Sequence, residues 1–181
     1  MAIQVSGTNV ITNARALNNI TSIDSTTAAA IGAGGIGGKL LQVVSSKSNT
    51  RYYSNSASNG TWVSTGHNIS ITPTSSSSKI FVSFTGGDSY SPYGSTNRLA
   101  IFRGSTKIIG STSDYGGMYT TPEYVYGQVR SPLALTVLDS PATTSQVTYS
   151  LRSYVHAGNS YVNDTGSNGT QITMTCMEIG S

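Results

Sequence analysis

Seven carboxylates, two histidines and a single cysteine are the side chains among 181 residues that most often act as acids, bases, nucleophiles or metal ligands. Their spacing argues against chemistry. His67 and His156 have no cysteine or acid near them at metal-ligand spacing, so both read as polar surface groups. The acids are Asp24, Asp88, Asp114, Glu123, Asp139, Asp164 and Glu178. A glycosidase needs two of them across a cleft, and Asp88 with Asp114 is the pair open to that reading. Two aspartates that form turns is the simpler account. Cys176 alternates with methionines in an apolar C-terminal stretch and reads as a small buried hydrophobe; alone, it forms no intrachain disulfide. The run GAGGIGG has no strand before it and no correctly spaced helix after it, so it is not a dinucleotide fingerprint. Asn68-Ile69-Ser70 matches a glycosylation sequon, which carries weight only in a secreted protein. The expectation is a chain that is not an enzyme, with no catalytic residue, cofactor or metal.

The tyrosines point elsewhere. There are 11, and Tyr90, Tyr93, Tyr115, Tyr119, Tyr124 and Tyr126 crowd into or beside two glycine-rich stretches, 86–96 and 111–121. Tyrosine is rigid and amphipathic and makes broad contacts at little entropic cost. Loops on a rigid scaffold are where recognition sits. Asp88, Tyr90, Tyr93, Asp114, Tyr115 and Tyr119 are the candidate surface-recognition residues, suited to stacking on sugar rings or packing on a protein. Packing between subunits suits the same residues equally well.

The scaffold is legible from periodicity. After residue 38 the chain alternates apolar and polar residues in about ten short runs, with no long helical pattern between them, which predicts a β-sandwich or barrel. Leu40–Ser45 reads as a central strand, apolar on both faces. Arg51–Ser54 and Thr61–Thr65 read as a pair joined by SNSASNG, with Trp62 a core or interface anchor. His67–Thr72 follows as a separate strand closed by Pro73. Lys79–Thr85 sends Ile80, Val82 and Phe84 inward, and Gly86–Thr96 reads as a loop carrying Tyr90 and Tyr93. Arg98–Arg103 and Thr106–Gly110 make a hairpin around Gly104–Ser105. Leu133–Leu138 is a short buried strand. Gln146–Val155 alternates longest, and Gln171–Ile179 closes the domain with Ile172, Met174, Cys176 and Glu178 on one side. Long connections other than hairpins favour a jelly roll over a simple meander.

The first 38 residues differ. Residues 1–25 are thin and polar, with isoleucines too regular for a solvated tail and too few to bury alone. Such a segment docks on another protein or wraps with copies of itself, bringing Leu17, Ile20 and Ile23 to a common axis, with Ile31 beyond them. Asp24–Ile31 offers a short helix, capped by Ser25 or Thr26 and stopped by Gly32, Gly34 and Gly35, and residues 26–38, TTAAAIGAGGIGG, make a pliable neck. Residues 39–181 form the head.

Composition narrows the partners. Charged residues are 9% of the chain, far below the usual quarter or so, while a net charge of +3 and 36% hydrophobic residues exclude disorder by charge. Sparse charge suits a surface covered by sister subunits, where unpaired charge is costly. The basic residues stand singly, without the clustered footprint of a nucleic-acid binder. No apolar run approaches the ~20 residues of a membrane span, and the N-terminus lacks a signal-peptide pattern. The expectation is a protein made in the cytoplasm, neither nucleic-acid-binding nor membrane-inserted.

Three stretches carry a resemblance: GTNVITNARALNNITSID with TTAAAIGAGG; GKLLQVV followed by ISITPTSSSSKIFV; and LDSPATTSQVTYSLRSY ending in ITMTCMEIG. Together they resemble the fibre and appendage proteins of tailed bacteriophages, especially cyanophage-like ones. The resemblance implies an all-β homotrimer. An extended N-terminal virion-attachment segment would precede a jelly-roll head like those of C1q and tumour necrosis factor. It implies location in the virion, contacts with tail or capsid proteins, and host-surface binding to a glycan or protein. The alternatives are a capsid-decorating trimer and, behind it, a glycan-depolymerising enzyme.

Overall fold

The computed structural model describes residues 3–5, 8–11, 38–55, 60–92, 94–109, 117–120, 129–155, 157–164 and 170–180. The chain divides into two compact units, Met1–Gly38 and Lys39–Ser181. In the first, β1 (Ile3–Val5) and β2 (Thr8–Ile11) pair as an antiparallel hairpin with Val5 opposite Thr8 and Ile3 opposite Ile11. Leu17, Ile20, Ile23 and Ile31, and the short helix expected before Gly32, lie outside the described residues.

The second unit is all-β. Its strands are β3 (Leu40–Ser48), β4 (Tyr52–Asn55), β5 (Trp62–Ile71), β6 (Lys79–Ser91), β7 (Asn97–Arg103), β8 (Thr106–Lys107), β9 (Met118–Thr120), β10 (Val129–Asp139), β11 (Val147–Val155), β12 (Asn159–Val162) and β13 (Ile172–Ile179). A six-stranded sheet runs β3-β13-β6-β12-β4 with β10 on the other side of β6, and a five-stranded sheet runs β5-β11-β7-β8 with β9 also on β7. The pairing is nested: β3 with β13, β5 with β11, β6 with β10, β7 with β9, all antiparallel. The alternation of each strand explains the core. Ile80, Val82 and Phe84 of β6, Leu133 and Leu135 of β10, and Ile172, Met174 and Cys176 of β13 face Ile69, Ile71, Leu99, Ile101, Tyr149 and Leu151 of the second sheet.

The pattern in β6, β11 and β13 matches the sequence reading. Cys176 is fully buried, and burial raises its thiol pKa to about 12, consistent with an inert hydrophobe. Other expectations need correction. Leu40–Ser45 is not central: β3 is an edge strand, and Val43 is 51% exposed. Arg51–Ser54 and Thr61–Thr65 are not a hairpin, because β4 pairs with β12 and β5 with β11, in different sheets. Thr61–Thr65 and His67–Thr72 merge into β5 through a register shift at Gly66, whose φ is +81°. Tyr90 lies not in a loop but in β6, which runs on through Gly86 and Gly87 to Ser91. Both glycines have positive φ, and a Cβ on Gly87 would sit 2.7 Å from Asn163 Oδ1. There β6 passes from one neighbour, β13, to another, β12.

His67 is the sharpest correction. It is 1% exposed, and neither ring nitrogen has a hydrogen-bond partner. Burial lowers its pKa below the usual 6.5. Glu178, at the inward end of β13, is also fully buried but satisfied. It accepts hydrogen bonds from Gln42 Nε2 at 2.5 Å, Thr74 N at 2.7 Å and Thr74 Oγ1 at 2.8 Å. Burial would raise its pKa, but these donors outweigh that and hold it down at about 2.

Both groups have folded-state pKa values below their unfolded ones, so the unfolded chain binds more protons and stability falls as pH drops below each unfolded value. Denaturant titrations should show stability dropping below about pH 6.5 from His67, by at most ~1.4 kcal/mol per pH unit, and again below about 4.5 from Glu178. His67→Leu should flatten the first step and leave the second; a profile unchanged by that substitution would contradict the assignment.

Candidate functional site

Two cross-strand rows of aromatic and charged residues stand on the two outward faces of the sandwich. The first crosses four strands of the six-stranded sheet in register: Tyr53 opposite Tyr161, Tyr161 opposite Tyr90, Tyr90 opposite Arg130. Alternation puts all four on the side away from the core, because Ser54, Ser160, Val162, Ser89 and Ser91 between them are buried. The Tyr53 and Tyr161 ring centroids are 4.9 Å apart, and those of Tyr161 and Tyr90 are 5.2 Å apart.

Two guanidiniums lie over this row, Arg130 Cζ at 4.1 Å from the Tyr90 centroid and Arg51 Cζ at 4.7 Å from that of Tyr161. Two carboxylates hold them flat. Arg130 donates to Asp88 Oδ2 at 2.7 Å and to Asp164 Oδ2 at 2.6 Å, and Arg51 donates to Asp164 Oδ1 at 2.7 Å. The hydrogen bond to Asp164, then that to Asp88, raise the Arg130 pKa above its ordinary value against the opposing effect of burial. Asp164 is placed by Asn163, a buried residue at φ +56°. Asn163 N donates to the Asp88 carbonyl at 2.7 Å, and its side chain donates to the Thr50 carbonyl at 3.2 Å. Asparagine is among the residues that tolerate this left-handed backbone. Two cations and two anions close the network, and Tyr53 remains 50% exposed at its end.

The second row crosses the five-stranded sheet: Trp62 opposite Tyr154, Tyr154 opposite Arg98, Arg98 opposite Tyr119. Phe102 packs beside it, its ring 5.5 Å from that of Trp62. Three cations sit over these rings. Arg98 Cζ is 5.1 Å from the Tyr154 centroid, Lys107 Nζ 5.4 Å from Trp62 and Arg152 Cζ 4.4 Å from Phe102. Arg152 also donates from Nη2 to the Gly104 carbonyl at 2.6 Å, which fixes its guanidinium.

No family model matches this chain, and no curated protein matches it; the geometry therefore carries the functional reading. Of the expected recognition residues, Asp88 and Tyr90 fall in the first row and Tyr119 in the second, on different faces. Tyr93, Asp114 and Tyr115 lie outside the described residues, and so does the proposed Asp88–Asp114 pair. The reading by sequence missed Tyr53, Tyr161, Arg51, Arg130 and Asp164, which come from three separate segments. It also missed Arg152 with Tyr154 and Phe102. Alternation in QVTYSLRSYV and RLAIFR puts Arg152 with Tyr154 and Arg98 with Phe102 on outward faces, so that signal was present. Among the described residues, no group of three or more His, Cys, Asp or Glu is placed to hold a metal ion.

Asp164 is only 10% exposed and bridges two arginines, whereas Arg51 is 54% exposed. Asp164→Ala should cost about 1–2 kcal/mol in denaturant unfolding, since it leaves two stacked guanidiniums without their acceptor. Arg51→Ala should cost less than about 0.5 kcal/mol because water screens it. Equal costs would mean that the bridge does not hold the row together.

Proposed function

We propose that this chain is a particle-mounted structural protein, a homotrimeric fibre or tail appendage of a phage virion. The N-terminal unit attaches it to tail or capsid, and the β-sandwich presents a host-binding surface without catalysing a reaction. The nested pairing of β3 to β13 is the connectivity of two interleaved Greek keys, which supports a jelly-roll description of the head.

The observation that carries the reading is a two-row patch on the outward face of the six-stranded sheet, bordered by Lys47 of β3 and Lys79 of β6. Beyond the tyrosine row it holds Val43, Met177, Phe81 and Leu138 in register across β3, β13, β6 and β10. The adjacent row is Ser45, Thr175, Ser83 and Thr136. These eight side chains include no charge. Val43 and Leu138 are 51% and 52% exposed in the single chain, and Leu40 nearby is 54% exposed. An antiparallel sheet face left to water normally carries charges that keep it soluble and unpaired. A face of valine, methionine, phenylalanine, leucine and hydroxyls has the composition of an interface centre, where charged residues are depleted. It also packs against its own copies without bringing like charges together. A covered face of this kind accounts for a chain with so little charge overall.

Sedimentation at micromolar concentration should give three times the chain mass. Val43→Asp with Leu138→Asp alters two half-exposed positions and leaves the core intact, so it should yield a folded monomer. A wild-type monomer would overturn the trimer. Removal of residues 1–24 should leave the head folded and end its retention on purified particles. Capsids and tails assayed separately identify the attachment site.

A further inference from the structure

We propose that the exposed end of the tyrosine row, around Tyr53, is a binding site for one hexose unit of a neutral glycan. It deepens the reading of a host-binding head by naming the ligand class, and it rests on that reading only for its biological setting. Tyr53 lies on β4, at the opposite end of the strand order from β3 and the uncharged rows. It is 50% exposed, although its cross-strand partner Tyr161 packs beside it with ring centroids 4.9 Å apart. Among the described residues no other ring adjoins it. Its hydroxyl donates to Asn159 Oδ1 at 3.1 Å, which ties the ring to β12. Arg51 lies over the Tyr161 ring, and Asn159 alternates with buried Ser160, so both stand on the same outward side as Tyr53.

The chemistry selects a neutral sugar. A pyranose has an apolar C–H face, which suits an exposed tyrosine ring, and a rim of hydroxyls, which suits nearby donors and acceptors. Arg51 donates from Nη2 to Asp164 Oδ1 at 2.7 Å and is 54% exposed, so its guanidinium has further N–H groups to offer the rim. Asn159 accepts from Tyr53 through Oδ1, and its Nδ2 takes no part in that bond. Arg51 and Tyr53 are two residues apart in sequence, about 7 Å along an extended chain, which one sugar ring with its hydroxyls spans. The charges are already matched: Arg51 and Arg130 meet Asp164 and Asp88 at 2.6–2.7 Å. An ionic ligand therefore finds little net field to draw it in. The same network holds the row in place before a ligand arrives, which lowers the ordering cost of binding. A nucleic-acid strand draws its affinity from surplus positive charge beside the stacking rings, and here both cations are paired. A protein partner needs about 800 Å² of surface, which the uncharged rows fit better than one ring among paired charges.

Frontal affinity chromatography of the full chain on immobilised mannan, dextran and galactan tests this, with alginate and poly(dT) columns as charged comparisons. The expected result is retention by at least one neutral polymer, which identifies the hexose. Retention should persist in about 1 M salt, where the screening length falls to about 3 Å. Tyr53→Ala should weaken it about tenfold, or about 1.4 kcal/mol, with circular dichroism unchanged. Arg51→Ala, which costs the fold little, should weaken it about threefold and serves if Tyr53→Ala is misfolded. Lys47→Ala, on β3, should leave retention unchanged. No retention by any neutral polymer, retention abolished by salt, stronger retention by alginate or poly(dT), or a loss in Lys47→Ala equal to that in Tyr53→Ala would each overturn the proposal. The mass of the same samples separates the two readings: a trimer without retention refutes this site alone, and a monomer with retention refutes the trimer alone.

Discussion

The hydrogen-bonding demand of β6 organises the head. A strand of 13 residues at the middle of a sheet must find partners for its backbone along both edges, since an unpaired buried amide or carbonyl is costly. On one edge β10 supplies them from Ile80 to Ser91. On the other, β13 serves Lys79–Thr85 and β12 serves Ser89 and Tyr90. Gly86 and Gly87 lie between, in conformations that a side chain would strain or block. A Cβ at Gly86 would meet the Gln171 carbonyl oxygen, at the approach to β13. Because β6 continues past this point, the sheet's outward face has two regions of different chemistry. One is the uncharged rows above β13, and the other is the tyrosine row above β12.

The same glycines explain why part of the fold could not be read. Alternation in β11 and β13 is strong and local, and both strands stand where the pattern puts them, with Tyr149, Leu151, Ile172, Met174 and Cys176 inside. A pair of glycines followed by Asp, Ser, Tyr and Pro has the composition of a turn, and only the distant partners β10 and β12 make it a strand. Pairing in a nested fold is likewise invisible locally. Tyr53 and Tyr161 are opposite one another although 108 positions separate them, and no feature of either neighbourhood announces it. Edge and centre were exchanged for β3 because Leu40, Leu41, Val43 and Val44 look buried on both sides. That is the composition expected of a strand whose outer side is also covered.

Charge follows a related logic. The cations stand singly along the chain, yet the topology collects Arg98, Lys107 and Arg152 on one face and Arg51 and Arg130 on the other. The contacts that hold the two groups differ. Asp88 and Asp164 neutralise the second pair and turn it into a clamp across four strands. The first group is held by ring faces and, for Arg152, by a backbone carbonyl. A guanidinium whose charge is matched by carboxylates is occupied with holding the sheet.

The two buried polar groups sort by the same test. Glu178 stays charged at the core margin because the donors of Gln42 and Thr74 replace the water it loses, and in doing so they tie β13 to β3 and to the segment after β5. The His67 ring has no such donor or acceptor, and burial keeps it neutral beside the Gly66 irregularity of β5. A hydrocarbon of similar shape would satisfy that position at least as well, which makes His67 a group whose protonation opposes folding. The response of the sandwich to acid is thereby set by these two buried groups, His67 first and Glu178 at lower pH, whereas the most exposed ion pairs are screened by water and contribute least.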